Sequence, residues 1–148
     1  MPSATREQLL SAAQAFCDAF ASQKPPEEIF SHFSASEDVL ALEHGLPELA
    51  PFLGREFRGH KGLQDYFQSL SSNLRYENMR FSNFVVDAEV SKVSVRGEAK
   101  FTWTSTNQSW DEVFTYVLEF DEDTKVKVYE VWADSGAAYL ASKGLLKQ

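Results

Sequence analysis

The chain reads as an α+β protein in which helices come early and antiparallel strands follow and fold over them. Two observations carry this. Apolar residues recur at helical spacing up to about Ser72, then alternate with polar ones from Leu74 onward. The helical and strand-like segments are also segregated along the chain, not interleaved as βαβ units would be. The 148 residues are 43% hydrophobic and 14% aromatic, enough for one domain with a sizeable core.

The first helix is predicted over Thr5 to Gln23. Thr5 and Gln8 have capping-box spacing, and Leu9, Ala13, Phe16 and Phe20 form its apolar stripe, widened by Leu10, Ala12 and Cys17. Pro25 and Pro26 stop it. Pro26 also opens a short second helix, with Glu27 and Glu28 in the first turn and Ile29, Phe30 and Phe33 to dock it. Asp38 to His44 reads as a strand with Leu40, Leu42 and His44 on one face. Leu46 to Leu53 is a loop, and Arg55 to Arg58 a short strand. A helix follows over Lys61 to Ser72, with Leu63, Phe67 and Leu70 as its stripe and Tyr66 beside it. Tyr76 to Val86 is a strand with a bulge, because Met79 and Phe81 are out of phase with Phe84 and Val86. Lys92 to Ser105 alternates cleanly, with Val93, Val95, Gly97, Ala99, Phe101 and Trp103 on one side. Ser109 to Asp134 is a hairpin, and Ser135 to Lys143 a closing helix or tail.

The net charge of −8 argues against nucleic acid and anionic membrane surfaces as partners. No apolar run is long enough to span a bilayer, and Met1 to Thr5 has no basic segment leading into an apolar one, so a cytoplasmic protein is expected. Cys17 is the single cysteine, which excludes an internal disulfide and reads as a small core residue. No metal is expected, because His32, His44 and His60 are scattered without ligand spacing. His32 is expected to be exposed, and His60 to sit at a turn. No phosphate loop, nucleophile elbow or dinucleotide fingerprint occurs, and no cofactor is expected.

The hairpin is where chemistry is expected. Trp110, Glu112, Phe114, Tyr116, Leu118 and Phe120 share a face of the first strand. With a turn at Glu122-Asp123-Thr124, the return strand would present Val126, Val128, Glu130, Trp132 and Asp134 on that same face. This pairs Tyr116 with Glu130, Phe114 with Trp132 and Glu112 with Asp134. Carboxylates among aromatics mark a pocket wall, because a buried charge is costly unless paired. Glu112 and Asp134 are candidate acid–base residues, since neighbouring carboxylates raise each other's proton affinity. His44 is a candidate proton shuttle from the opposite wall. Tyr66, Trp103, Trp110, Phe114, Tyr116, Glu130 and Trp132 are candidate ligand contacts. Core packing, helix capping and an in-sheet hydrogen bond for Glu130 account for the same residues without a ligand.

The order of four segments resembles the nuclear-transport-factor-2-like superfamily and its SnoaL-like group. They are the aromatic-rich first helix, Asp38 to Gly45, Phe57 to Phe67, and the last strand ending in Val131-Trp132-Ala133-Asp134. The resemblance implies a cone, a strongly curved, mostly antiparallel sheet wrapped around about three helices (a cystatin-like α+β barrel), with a pocket at its wide end. It implies isomerase, dehydratase, cyclase, hydrolase or non-catalytic binding roles. Asp134 is the nearest match to the acid–base aspartate of the cyclases. The expected function is therefore binding of a small apolar or aromatic molecule, with cofactor-free isomerisation, cyclisation or dehydration as its chemistry. The alternative is a non-catalytic carrier or protein-interaction module. Val113, Thr115 and Val117 opposite Ala133, Val131 and Tyr129 would leave an apolar outer face, from which a homodimer is expected unless Tyr139 to Leu146 folds back over it.

Overall fold

The computed structural model describes residues 4–147, so the reading of Met1 to Thr5 as leaderless lies largely outside the described residues. Its elements are α1 (Arg6–Ala21), α2 (Pro26–Phe30), β1 (Leu40–His44), β2 (Phe57–Arg58), α3 (Gly59–Asn73), β3 (Leu74–Asp87), β4 (Lys92–Trp103), β5 (Gln108–Phe120), β6 (Val126–Trp132) and α4 (Ser135–Ser142). The six strands form one curved, unclosed sheet in the order β2-β1-β6-β5-β4-β3, antiparallel except where β1 runs parallel to β6. The α+β class and the curved sheet around helices are as the sequence predicts.

Local chemistry explains the elements. Thr5 caps α1 reciprocally: Gln8 N–H donates to Thr5 Oγ1 at 3.1 Å and Thr5 N–H to Gln8 Oε1 at 2.8 Å. Phe16 and Phe20 then carry the stripe into the sheet, meeting Phe33, Tyr116 and Tyr129 edge-on or stacked at 5.4–6.3 Å. Cys17 is buried beside them, and burial pushes its thiol up, as befits a core residue. His32 is half-buried and edge-on to Phe16 at 6.1 Å, not exposed as expected, because the chain after α2 folds back under α1.

Curvature comes from β3. Its register slips twice against β4, after Glu77 and after Ser82, and Asn78 and Asn83 at these slips adopt φ of 56° and 57°. Each bulge adds a residue and bends the strand, which is why the apolar phase changes from Tyr76 to Met79 and Phe81 and back to Phe84. Gly97 on β4 faces Phe114 on β5, and a Cβ there would lie 2.3 Å from the Phe114 ring. The missing side chain lets that ring lie flat on the sheet.

A third irregularity decides which side chains face inward. Phe120 pairs with Val126, but Glu119 pairs with Val128, so Lys127 is an extra residue on β6. Beyond it, Leu118 meets Tyr129, Tyr116 meets Val131, Val117 meets Glu130 and Thr115 meets Trp132. The predicted pairings of Tyr116 with Glu130 and Phe114 with Trp132 are therefore overturned. Tyr129 and Val131 point inward and are buried, while Val128, Glu130 and Trp132 share the outer face with Val117 and Thr115. Since β1 pairs with β6 in parallel, the phase carries across. Ala41 and Glu43 go inward with Tyr129 and Val131, and Leu40, Leu42 and His44 go outward.

Candidate functional site

The inner faces of β1, β3, β4, β5 and β6 and the helices α1 to α3 enclose a cavity of about 660 Å³. Rings line most of it: Phe20, Tyr66, Phe67, Tyr76, Phe101, Trp110, Phe114, Tyr116 and Tyr129. Phe101 and Trp110 stack at 5.8 Å on one wall. Ala138 of α4 also lines it, as do Gln23, Gln64 and Gln68 from the helical side.

Two carboxyls sit among these rings. Glu43, on β1, is 8% exposed, and Glu112, on β5, is 9% exposed. Glu43 Oε1 accepts from the Tyr66 hydroxyl at 2.7 Å. Tyr66 is held there by α3, whose buried side also includes Gly62 packed closely on the Phe57 backbone. Glu112 Oε1 accepts from Trp110 Nε1–H at 2.8 Å. Burial raises the Glu43 carboxyl from 4.5 to about 7; the Tyr66 hydrogen bond opposes this and the charge of Glu112 adds to it. Burial likewise raises Glu112 from 4.5 to about 7, opposed by the Trp110 bond and the backbone N–H of Asp134 and aided by the Asp134 charge. Behind Glu43, the hydroxyls of Tyr66, Tyr129 and Tyr116 interact in a row, all held protonated far above the usual phenol range, chiefly by burial. The arrangement is a pair of acids that titrate near neutrality, in an aromatic chamber, with neutral donors on each.

In three-dimensional form the chain is similar to an NTF2-like protein from Burkholderia xenovorans, at 20% identity and TM-score 0.74, over 93% of this chain and 97% of that one. It is similar to a protein from Jannaschia named as a SnoaL-like polyketide cyclase, at 13% identity and TM-score 0.75, over 95% of each chain. It is also similar to TerC, crystallised with polyporic acid, at 18% identity and TM-score 0.76, over 92% of this chain and 98% of TerC. The chain has the NTF2-like fold. No family model matches the sequence, and no curated protein matches it.

Within this NTF2-like cone, Tyr66, Trp110, Glu112, Phe114, Tyr116 and Asp134 all line the cavity. Asp134 also caps α4, its Oδ1 accepting from Ala137 N–H at 2.9 Å. Trp103 faces inward but packs against Phe52 at 6.2 Å and lines a separate shallow cleft beside Tyr139 and Lys143. His44, Glu130 and Trp132 do not reach the cavity. On the outer face His44 stacks on Trp132 at 4.2 Å and its Nε2 lies 2.9 Å from Glu130 Oε2. His60 sits at the start of α3, its Nε2 3.1 Å from the Ala35 carbonyl. Among the described residues no group of three or more His, Cys, Asp or Glu is placed to hold a metal ion. No helix among them is long and apolar enough to cross a membrane.

Glu43, Tyr129 and Phe101 are among the cavity residues that sequence reasoning missed. Val39, Ala41 and Glu43 share a phase, but the larger Leu40 and Leu42 beside them claimed the inward side. On the neighbouring β6, the extra residue Lys127 reverses the phase that alternation alone predicts.

Proposed function

We propose that this protein binds a planar, largely apolar small molecule in the cone and catalyses cofactor-free proton transfer on it, of the kind that isomerises, cyclises or dehydrates an enolisable carbonyl compound. The observation that carries this is the pair Glu43 and Glu112, two buried carboxyls with carboxyl pKa values near 7 on one aromatic cavity. A group half-protonated at working pH is effective as both acid and base. In this reading one member of the pair is ionised and removes a proton α to the carbonyl, and the protonated partner donates to the developing enolate oxygen. Tyr66 orients Glu43, Trp110 orients Glu112, and Asp134 keeps Glu112 protonated by its charge. The rings give the two carboxyls an apolar surround, which strengthens each of these interactions. The fold shared with TerC and with the Jannaschia protein supports a ligand chamber.

The test is deuterium exchange at the α-carbon of 2-tetralone in D2O, followed by proton NMR. The protein accelerates exchange, and Glu43→Gln and Glu112→Gln each remove most of that acceleration. Binding without exchange above background refutes proton transfer and leaves a carrier.

The reading includes a homodimer built on the outer face of the sheet. Charged residues of that face cluster toward β3 and β4, where Glu98 pairs with Arg80 and Arg96, while on β6 Glu130 is paired with His44 of β1. Toward β1, β6 and β5 it presents Leu40, Leu42, Val117 and Val128, with Val113 56% and Trp132 43% exposed. Such an apolar stretch on an open sheet face fits a self-complementary contact. The segment from Tyr139 to Leu146 does not cover it, since α4 packs on β4 and β5 at the end where Thr106 and Gln108 bond Ala141 and Leu146.

A further inference from the structure

We infer that the cavity takes a ligand carrying a basic nitrogen on an aromatic or fused-ring skeleton, held as a cation between the carboxyls of Glu43 and Glu112 and the face of Trp110. This rests on the cavity being a ligand site, as proposed above, and names the charge of what enters it.

The argument is one of unbalanced charge. Among the described lining residues, Glu43, Glu112 and Asp134 are acids, and Arg75 is the base. Arg75 is exposed and its Nη2 donates to Asn107 Oδ1 at 2.6 Å, on the β4–β5 turn. The partners of the two buried acids are neutral, a phenol and an indole. A buried carboxylate without a counter-charge is costly, and the cost falls away when a cation arrives. Burial makes each acid resist ionisation, and a neighbouring carboxylate adds to it. The walls suit a cation as well as an apolar body, because stacked Phe101 and Trp110 offer the ring face that attracts an ammonium group. A neutral ligand would leave the pair uncompensated once it ionises, and an anion would meet repulsion from all three acids.

The experiment compares three ligands with one skeleton, 2-aminotetralin, 2-tetralol and tetralin-2-carboxylic acid, by isothermal titration calorimetry at pH 8. The amine is expected to bind at least about tenfold tighter than the alcohol, with no measurable binding of the acid. Glu43→Gln and Glu112→Gln each reduce that preference, read as the ratio of amine to alcohol affinity within the same variant, to less than about threefold. An alcohol that binds as tightly as the amine overturns the inference and leaves the tetralone exchange test untouched. A preference that survives in both variants also overturns it, because the charge would then lie elsewhere. If none of the three binds, the cavity reading fails together with the inference. Circular dichroism shows whether the variants are folded, and the wild-type comparison decides the question if they are not.

Discussion

Glu43→Gln should remove a pH-dependent weakness from the fold. In the folded protein this carboxyl is raised from 4.5 to about 7. The unfolded chain therefore releases its proton at lower pH than the folded one does. The group's stabilising effect is complete below about 4.5, declines as pH rises, and is gone above about 7. At 1.36 kcal/mol per pKa unit the full span is on the order of 3 kcal/mol, and about 2.5 kcal/mol of it falls between pH 5 and pH 8.5. Glutamine keeps an oxygen for the Tyr66 hydroxyl and cannot ionise. Urea denaturation at the two pH values should thus show the wild type losing about 2.5 kcal/mol more than the variant, with the variant the more stable at pH 8.5. Glu112 contributes a decline of the same sign in both proteins, so the difference between them reports Glu43 together with its coupling to Glu112. Equal losses in the two proteins would refute the claim that Glu43 is buried without a counter-charge.

Three further outcomes follow from particular contacts. Gly97→Ala drives a methyl into the Phe114 ring and should cost about 1–3 kcal/mol in chemical denaturation, recovered in part by pairing it with Phe114→Leu; an unchanged midpoint would refute the close approach. Tyr66→Phe deletes the bond that holds Glu43 down, so carbon-13 NMR should show the Glu43 carboxyl titrating at higher pH than in the wild type. Val117→Glu, on the outer face, should convert a dimer to a monomer in light scattering at micromolar concentration, and a monomeric wild type would remove the dimer altogether.

Much of the architecture is legible because its signals are local. The capping box at Thr5, the Pro25-Pro26 break and the phase changes along β3 each act within a few residues, and each appears where the sequence places it. The chamber's aromatic wall on β5 is equally local, since alternation from Trp110 to Phe120 is uninterrupted. The rest depends on pairing between distant segments. Nothing in Val126 to Asp134 marks Lys127 as an extra residue, and the parallel pairing of β1 with β6 joins segments far apart in sequence. A one-residue slip exchanges the two faces of a strand, so one unseen bulge moved Glu130 and Trp132 outward and, through β1, His44 with them. The same slip brought Glu43 to Tyr66.

That bulge gives the molecule a place where its two surfaces can be traded. Deleting Lys127 would exchange the inward and outward side chains of β6 beyond that point. Glu130 and Trp132 would then turn toward the cavity, and Tyr129 and Val131 toward the outer face. A lineage carrying this scaffold can thus acquire a new chamber lining by a single-codon insertion or deletion. Length differences around Lys127 among relatives are accordingly expected to track changes in chemistry better than substitutions on the chamber wall do.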